Sequence, residues 1–188
     1  SLHKAYSEAI AILAGDALCT MAFDLAADTG RIEIIREIAQ ATGVAGMVGG
    51  QVLDLESEGA SLSLEALQRI HHYKTGALIR CSVRCGALVA DAGQTDLEAL
   101  TKYGEALGLA FQIADDILDV AGDAEVMGKQ TGMDAARMKA MYPALLGLER
   151  SRELALEAQR KATQALERFD DAADTLRGLA EFVVERTK

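Results

Sequence analysis

The sequence predicts an all-α fold, and three observations carry that prediction. Alanine, the best helix former, supplies 34 of the 188 residues, whereas proline, the worst, occurs once. Apolar residues recur at helical spacing along almost the whole chain, and no run alternates as a half-buried strand does. Half of the residues are hydrophobic, which is ample for a substantial core and argues against disorder. A single domain over residues 1–188 is the expected organisation, with no internal repeat and no linker.

A first helix is expected over 7–27, ended by Asp28-Thr29-Gly30. A second starts near Arg31 and runs to about Glu56, with a break at Thr42-Gly43. Gly43, Gly46, Gly49 and Gly50 lie in it, and each costs a helix about 1 kcal/mol relative to Ala, so close backbone packing is expected there. Ser57-Glu58-Gly59-Ala60 reads as a turn, and Ser63 is a candidate N-cap for a helix continuing to about Ala92. The next helix runs from Asp96 or Leu97 to Val120, where Gly122 and Asp123 stop it. Residues 123–134, rich in Gly, Asp and Lys, read as a functional loop. Two more helices are expected over 135–168 and 172–186, with Pro143 marking a start or a kink.

The charge balance is acidic, 29 Asp plus Glu against 19 Lys plus Arg, a net of −10. Such a chain lacks the positive field that drives nucleic-acid binding. It can still hold an anion where a metal ion or a few lysines reverse the local sign. Cys19, Cys81 and Cys85 are too few and too odd in number for a disulfide framework, so reduced thiols and a cytoplasmic setting are expected. No membrane span is expected: the longest uncharged stretch, Ile38 to Leu53, contains Gln40, Thr42, Gln51 and four glycines. The opening Ser1-Leu2-His3-Lys4 does not read as a signal peptide.

The sharpest chemical feature is Phe111-Gln112-Ile113-Ala114-Asp115-Asp116-Ile117-Leu118-Asp119. On a helix Asp115 and Asp119 are four apart and Asp116 and Asp119 three apart, so their carboxylates cluster and repel. A cation should offset them, and oxygen-only ligands favour Mg²⁺. The same spacing recurs in Asp170-Asp171-Ala172-Ala173-Asp174, so spacing alone decides nothing. Context does. The first copy interrupts an apolar run, Leu107 to Val120, where carboxylates need partners, whereas the second follows Glu167-Arg168 at a helix boundary and reads as a solvated charge run.

Gln51 and Asp54 form a polar pair at helical spacing, open to reading as a core hydrogen-bonded pair or as part of a site. Lys74-Thr75 lies between His72-Tyr73 and the apolar Gly76-Ala77-Leu78-Ile79, where an ammonium could hold a phosphate or snorkel to the surface. Lys129 and Lys139 carry the same two readings. His71 and His72 lack partners at zinc-like spacing, and Cys81, Cys85, Phe111, Met21 and Met47 read as core.

Together with Gly49-Gly50-Gln51-x-x-Asp54, Tyr73-Lys74-Thr75-Gly76 and Gly128-Lys129-x-x-Gly132-x-Asp134, the run from Phe111 to Asp119 resembles the trans-prenyltransferases, or polyprenyl diphosphate synthases, bacterial farnesyl diphosphate synthases above all. Ala14-Gly15-Asp16-Ala17-Leu18 and the segment from Tyr142 to Glu149 fit as well. The resemblance implies an isoprenoid-synthase-type bundle of long helices around a central cavity, usually as a homodimer. The implied reaction joins an allylic diphosphate (dimethylallyl or geranyl) head-to-tail to isopentenyl diphosphate. It further implies that Asp115, Asp116 and Asp119 hold Mg²⁺, and that Lys74 and Lys129 contact the allylic diphosphate. Thr75, Gln112 and Gln51 match positions around the reacting carbon; Phe111 and Lys139 go with the substrate-binding positions, and Asp54 matches a less firmly assigned polar one.

Members of that family also carry a first aspartate-rich motif, preceded by basic residues for isopentenyl diphosphate. Neither occurs in these 188 residues, which resemble the C-terminal two-thirds of a member without its N-terminal helices. A non-catalytic regulatory subunit and a terpene cyclase are the alternatives. The joint presence of Asp115, Asp116, Asp119, Lys74 and Lys129 disfavours the first, and the lysines with the later motifs disfavour the second. The polypeptide by itself is expected not to turn over substrate; normal turnover by the purified chain with Mg²⁺ and both diphosphates would overturn that expectation.

Overall fold

The computed structural model describes residues 2–127 and 141–186, and every regular element among them is helical. A short α1 (Leu2–Ala5) precedes α2 (Glu8–Ala27), whose N-cap is Ser7: the Ser7 hydroxyl accepts from the Ile10 backbone N–H. The expected second helix is two, α3 (Ile32–Thr42) and α4 (Met47–Glu56), divided at the predicted Thr42-Gly43 break. Ser63 caps α5 (Leu64–His71) by accepting from the Ala66 N–H. Beyond α5 the helix does not simply continue. Residues His72–Gly76 make one π-helical turn before the chain resumes as α6 (Ala77–Val89).

After a tight turn at Asp91 comes α7 (Gln94–Met127), the longest element. It runs past Val120, where the sequence placed its end; Gly122 costs only about 1 kcal/mol, too little to stop a helix already packed along most of its length. The second half of the expected 123–134 loop, and the start of the helix expected from Ala135, lie outside the described residues. Beyond them Pro143 opens α8 (Tyr142–Leu146), Gly147 turns the chain at positive φ, and α9 (Leu148–Ala165) comes next. A 3₁₀ turn (Asp171–Ala173) leads into α10 (Asp174–Glu185).

The core is the seam between α7, α9 and α10. From α7, Tyr103, Leu107, Ala110, Ile113, Ala114 and Ile117 repeat at three- and four-residue intervals, and all are buried. They meet Ala155, Ala158 and Ala162 of α9, whose methyl side chains let the two helices lie close. On the other flank, Gly104 of α7 lies against Arg80 and Gly108 against Gly76, so α6 and α7 run antiparallel and in step. Helix α10 runs parallel to α7: the Tyr103 hydroxyl donates to the Leu176 carbonyl at 2.8 Å, and Arg186 reaches Phe111. Burial raises the Tyr103 phenol to about 12, so it stays a hydroxyl donor.

Helix α2 lies where the first helix is expected, and it bears on the expectation of no membrane span. By length and composition it is apolar enough to cross a membrane, with a mean hydropathy of 1.7, and it is the one such helix among the described residues. Glu8, Asp16 and Asp24 punctuate a segment otherwise dominated by Ala, Leu and Ile, so it holds no long uncharged stretch. Within this chain it is mostly exposed, including Ile12, Leu13, Leu18 and Leu25.

Replacing Ala162, fully buried in the α7–α9 seam, by Leu is expected to destabilise the chain by about 1–3 kcal/mol through overpacking. The urea midpoint measures it, and an unchanged midpoint would contradict the tight seam.

Candidate functional site

The site is organised by three glycines. A Cβ on Gly50 would lie 2.3 Å from the Lys74 backbone nitrogen and 2.7 Å from its Cα, so α4 rests directly on the π-helical turn. A Cβ on Gly108 would lie 3.0 Å from the Gly76 Cα, which brings α7 against the same turn. At Gly50 only a residue without a side chain allows this approach, while at Gly108 a Cβ would force the turn to give by a few tenths of an ångström; the packing accounts for two of the glycines that helix propensity alone would reject. A π turn inserts an extra residue into the helical ladder and frees backbone groups, a feature concentrated at functional sites. Here it carries Lys74 and Thr75.

Asp54, one turn beyond Gly50 on α4, therefore stands beside Lys74. The Lys74 ammonium donates to Asp54 Oδ2 at 2.5 Å, with both side chains largely buried. The ammonium is thus held in place by a carboxylate from α4 rather than snorkelling into solvent. Asp54 is thus the ion-pair partner of Lys74.

The acids of α7 separate into two roles. At about 100° per residue, Gly104, Gly108, Phe111, Gln112, Asp115 and Asp119 fall along one stripe of α7, the one facing the π turn. From the pairing of Gly104 with Arg80 and Gly108 with Gly76, Asp115 stands about 8 Å farther along the axis than the level of Lys74. Asp115 is half-buried, and its Oδ1 accepts from Arg186 Nη2 at 2.6 Å. The same guanidinium lies 4.4 Å above the Phe111 ring and donates to the Phe111 carbonyl at 3.4 Å. Asp119 is exposed, one turn beyond.

Asp116 is different. It is 8% exposed, and its Oδ2 accepts from the backbone N–H of Tyr142 at 2.9 Å, tying the start of α8 to α7. The Tyr142 phenol is pushed above its usual range, first by burial and then by the negative charge of Asp116, with Gln68 offsetting part of the effect. One carboxylate of the predicted metal triplet therefore has a structural bond already. Among the described residues no three metal-ligating side chains converge.

The donor set nevertheless suits Mg²⁺, which binds through one or two carboxylates and fills its other positions with water and phosphate oxygens. Asp115 and Asp119 are two carboxylates on one stripe, and Arg186 shows that a cation already seats at Asp115. Lys129 and Lys139 lie outside the described residues. The second acidic run is accounted for locally: Asp170 accepts from the Ala172 N–H at a helix start, and Asp174 pairs with Arg177 at 2.6 Å. Arg186 is a site residue the sequence did not reveal, since its contact with Asp115 spans 71 positions and no motif links them.

Residues 1–177 match the polyprenyl synthetase family. The chain belongs to that family. The chain is 49% identical to the farnesyl diphosphate synthase of Escherichia coli (strain K12), across 99% of its own length and 66% of that protein's. It is 40% identical to the geranylgeranyl diphosphate synthase of Cyanophora paradoxa, across 98% of this chain and 64% of the relative. The chain thus spans about two thirds or slightly less of the length of these relatives. Among solved structures, an FPP/GFPP synthase from Zymomonas mobilis superposes with a TM-score of 0.85 at 35% identity, covering 97% of this chain and 64% of that one. A geranyltransferase from Helicobacter pylori complexed with magnesium and isoprenyl diphosphate gives 0.79 at 32% identity, covering 99% and 63%. These isoprenyl synthases share the all-α fold.

Replacing Gly50 by Ala is expected to cost about 1–3 kcal/mol, because the new methyl meets backbone rather than a movable side chain. Urea unfolding measures the loss, and a neutral effect would show that α4 does not press on the Lys74 turn.

Proposed function

We propose that the protein containing this chain is a prenyltransferase that condenses an allylic diphosphate with isopentenyl diphosphate, giving farnesyl diphosphate or a similar short-chain product. The observation that carries the reading is the placement of the Asp115–Asp119 stripe against the glycine-packed turn bearing Lys74 and Thr75. Likeness to a farnesyl diphosphate synthase at 49% identity supports the farnesyl product, and likeness to a geranylgeranyl diphosphate synthase sets the neighbouring alternative. A homodimer and a cytoplasmic location go with the same reading.

In this proposal Asp115 and Asp119 hold Mg²⁺, which when bound neutralises the charge that develops on the departing diphosphate. Asp116 anchors α8 and keeps the acidic helix in register through its bond to the Tyr142 N–H. Lys74 supplies a second positive charge to the diphosphate, poised by Asp54. Lys129 and Lys139 are assigned to substrate by family resemblance. Thr75, Gln112 and Gln51 offer side-chain oxygens that can stabilise an allylic cation, and Phe111 adjoins Gln112 on the α7 stripe. The isopentenyl double bond attacks the cation, and the proton lost from the new adduct passes to the released diphosphate. No side chain is then required to act as a strong base. An apolar surround keeps water from the cation.

Asp115→Ala in the full-length protein is expected to lower turnover at least about 100-fold, the scale of losing one electrostatic stabiliser, while the melting temperature changes little. Asp170→Ala should leave turnover within about twofold, since surface substitutions are near neutral. Steady-state kinetics on both variants decides between the two acidic runs, and unchanged kinetics for Asp115→Ala would overturn the assignment. Arg186→Gln removes the cation seated on Asp115. Calorimetric titration with Mg²⁺ is expected to show affinity rising roughly two- to fivefold, the value of a part-exposed ion pair.

A further inference from the structure

Two thiols stand apart from the site just described. Cys81 and Cys85 lie on successive turns of α6, with their Sγ atoms 3.7 Å apart and in hydrogen-bond contact. Cys81 is 6% exposed and packs with Ala41, Ala77 and Ile38 in the small apolar cluster joining α3 to α6. Cys85 is half-buried at the rim of that cluster, beside Arg84, which is held by two bonds to Glu37.

The separation of the sulfurs selects among their possible chemistries. A disulfide needs about 2.05 Å between sulfurs, so oxidation would have to draw the two turns together. A single atom bound to both sulfurs by bonds of about 2.3 Å, at the angle of about 100° that a pyramidal trivalent centre takes, spaces them about 3.5 Å apart, within a few tenths of an ångström of what α6 already holds. A structural zinc site needs four ligands, and among the described residues no third metal-ligating side chain joins the pair. The fitting ligand is a thiophilic centre that takes two sulfurs from the protein and brings its remaining substituent with it. Trivalent arsenic bearing one carbon group has that valence.

We propose that Cys81 and Cys85 form a chelating dithiol site for organic arsenicals of the arsonous acid class, R–As(OH)₂. Each thiol replaces one hydroxide: two As–O bonds break, two As–S bonds form, and the thiol protons leave with the hydroxides as two waters. No electrons are transferred and no oxidant is required. Cys85, at the rim, reacts first, and Cys81 closes the ring. Burial pushes the Cys81 thiol up to about 12 and also raises Cys85, so both are held protonated. Reactions that need a thiolate, such as alkylation, are thereby slowed. Condensation with an arsonous acid consumes the protonated thiol directly. Cys19 is exposed and 62 positions from the pair in sequence, and it serves as the single-thiol comparison within the same chain.

The test uses phenylarsonous acid on the folded chain, followed by an excess of 2-mercaptoethanol, with intact mass spectrometry as the readout. One phenylarsenic group per chain is expected to survive the challenge in the wild type and in Cys19→Ala, and to be lost from Cys81→Ala and Cys85→Ala. Cys85→Ser, at the half-buried position, provides a second variant should an alanine form not fold, as judged by circular dichroism. Because the helix holds both sulfurs in place beforehand, guanidinium-unfolded chain should surrender the group at a monothiol concentration at least about tenfold lower. An adduct that persists without Cys81 or Cys85, one that never forms on the wild type, or one equally resistant in the unfolded chain would each overturn the proposal. None of these outcomes depends on the prenyl-transfer reading.

Discussion

Backbone-to-backbone contact at the Lys74 turn is the constraint on which the rest of the site depends. Gly50 of α4 and Gly108 of α7 press on the π-helical turn at His72–Gly76 from two sides: a Cβ on Gly50 has no room, and one on Gly108 would crowd the turn. Because α4 is pinned there, Asp54 reaches the Lys74 ammonium. Because α7 is pinned there, its stripe of Gln112, Asp115 and Asp119 runs past the same turn. The polar groups are brought together by the absence of side chains elsewhere, and their mutual attraction then fixes their orientation.

Electrostatics refines this arrangement. A chain of net charge −10 has to hold concentrated carboxylates apart or give each a partner. Asp54 has Lys74, Asp115 has Arg186, and Asp116 accepts a backbone N–H. Only Asp119 of this group stands out in solvent, where hydration suffices. The Arg186–Asp115 pair also joins the last helix to the acidic stripe, so charge at the site and packing of α10 are coupled.

Much of this was legible in the sequence, and the reasons differ by element. The helix capped by Ser63 was readable because a cap is a local hydrogen bond, decided within four residues. The deeper burial of Asp115 and Asp116 relative to Asp170 was readable from apolar context. The glycines of α4 announced close packing because nothing else justifies their cost in a helix. The end of α7 was not readable, since tertiary packing outweighed Gly122. The π turn was not readable either, because it depends on Gly50 and Gly108, remote in sequence. Asp116 looked like its neighbours at motif level; only the return of Tyr142 from 26 positions away gave it a separate task. Arg186 was hidden for the same reason.

The π turn has a consequence for how this segment can vary. One residue more than an α-helix requires is stored at His72–Gly76, and each residue of an α-helix advances the side chains by about 100°. Deleting a single position there would regularise the hydrogen bonding and improve the helix locally. It would also swing Leu67 and Ile70, upstream on α5, more than a quarter-turn away from their present packing. The segment should therefore absorb changes of residue type far more readily than changes of length, and its spacing is a stricter inheritance than its spelling.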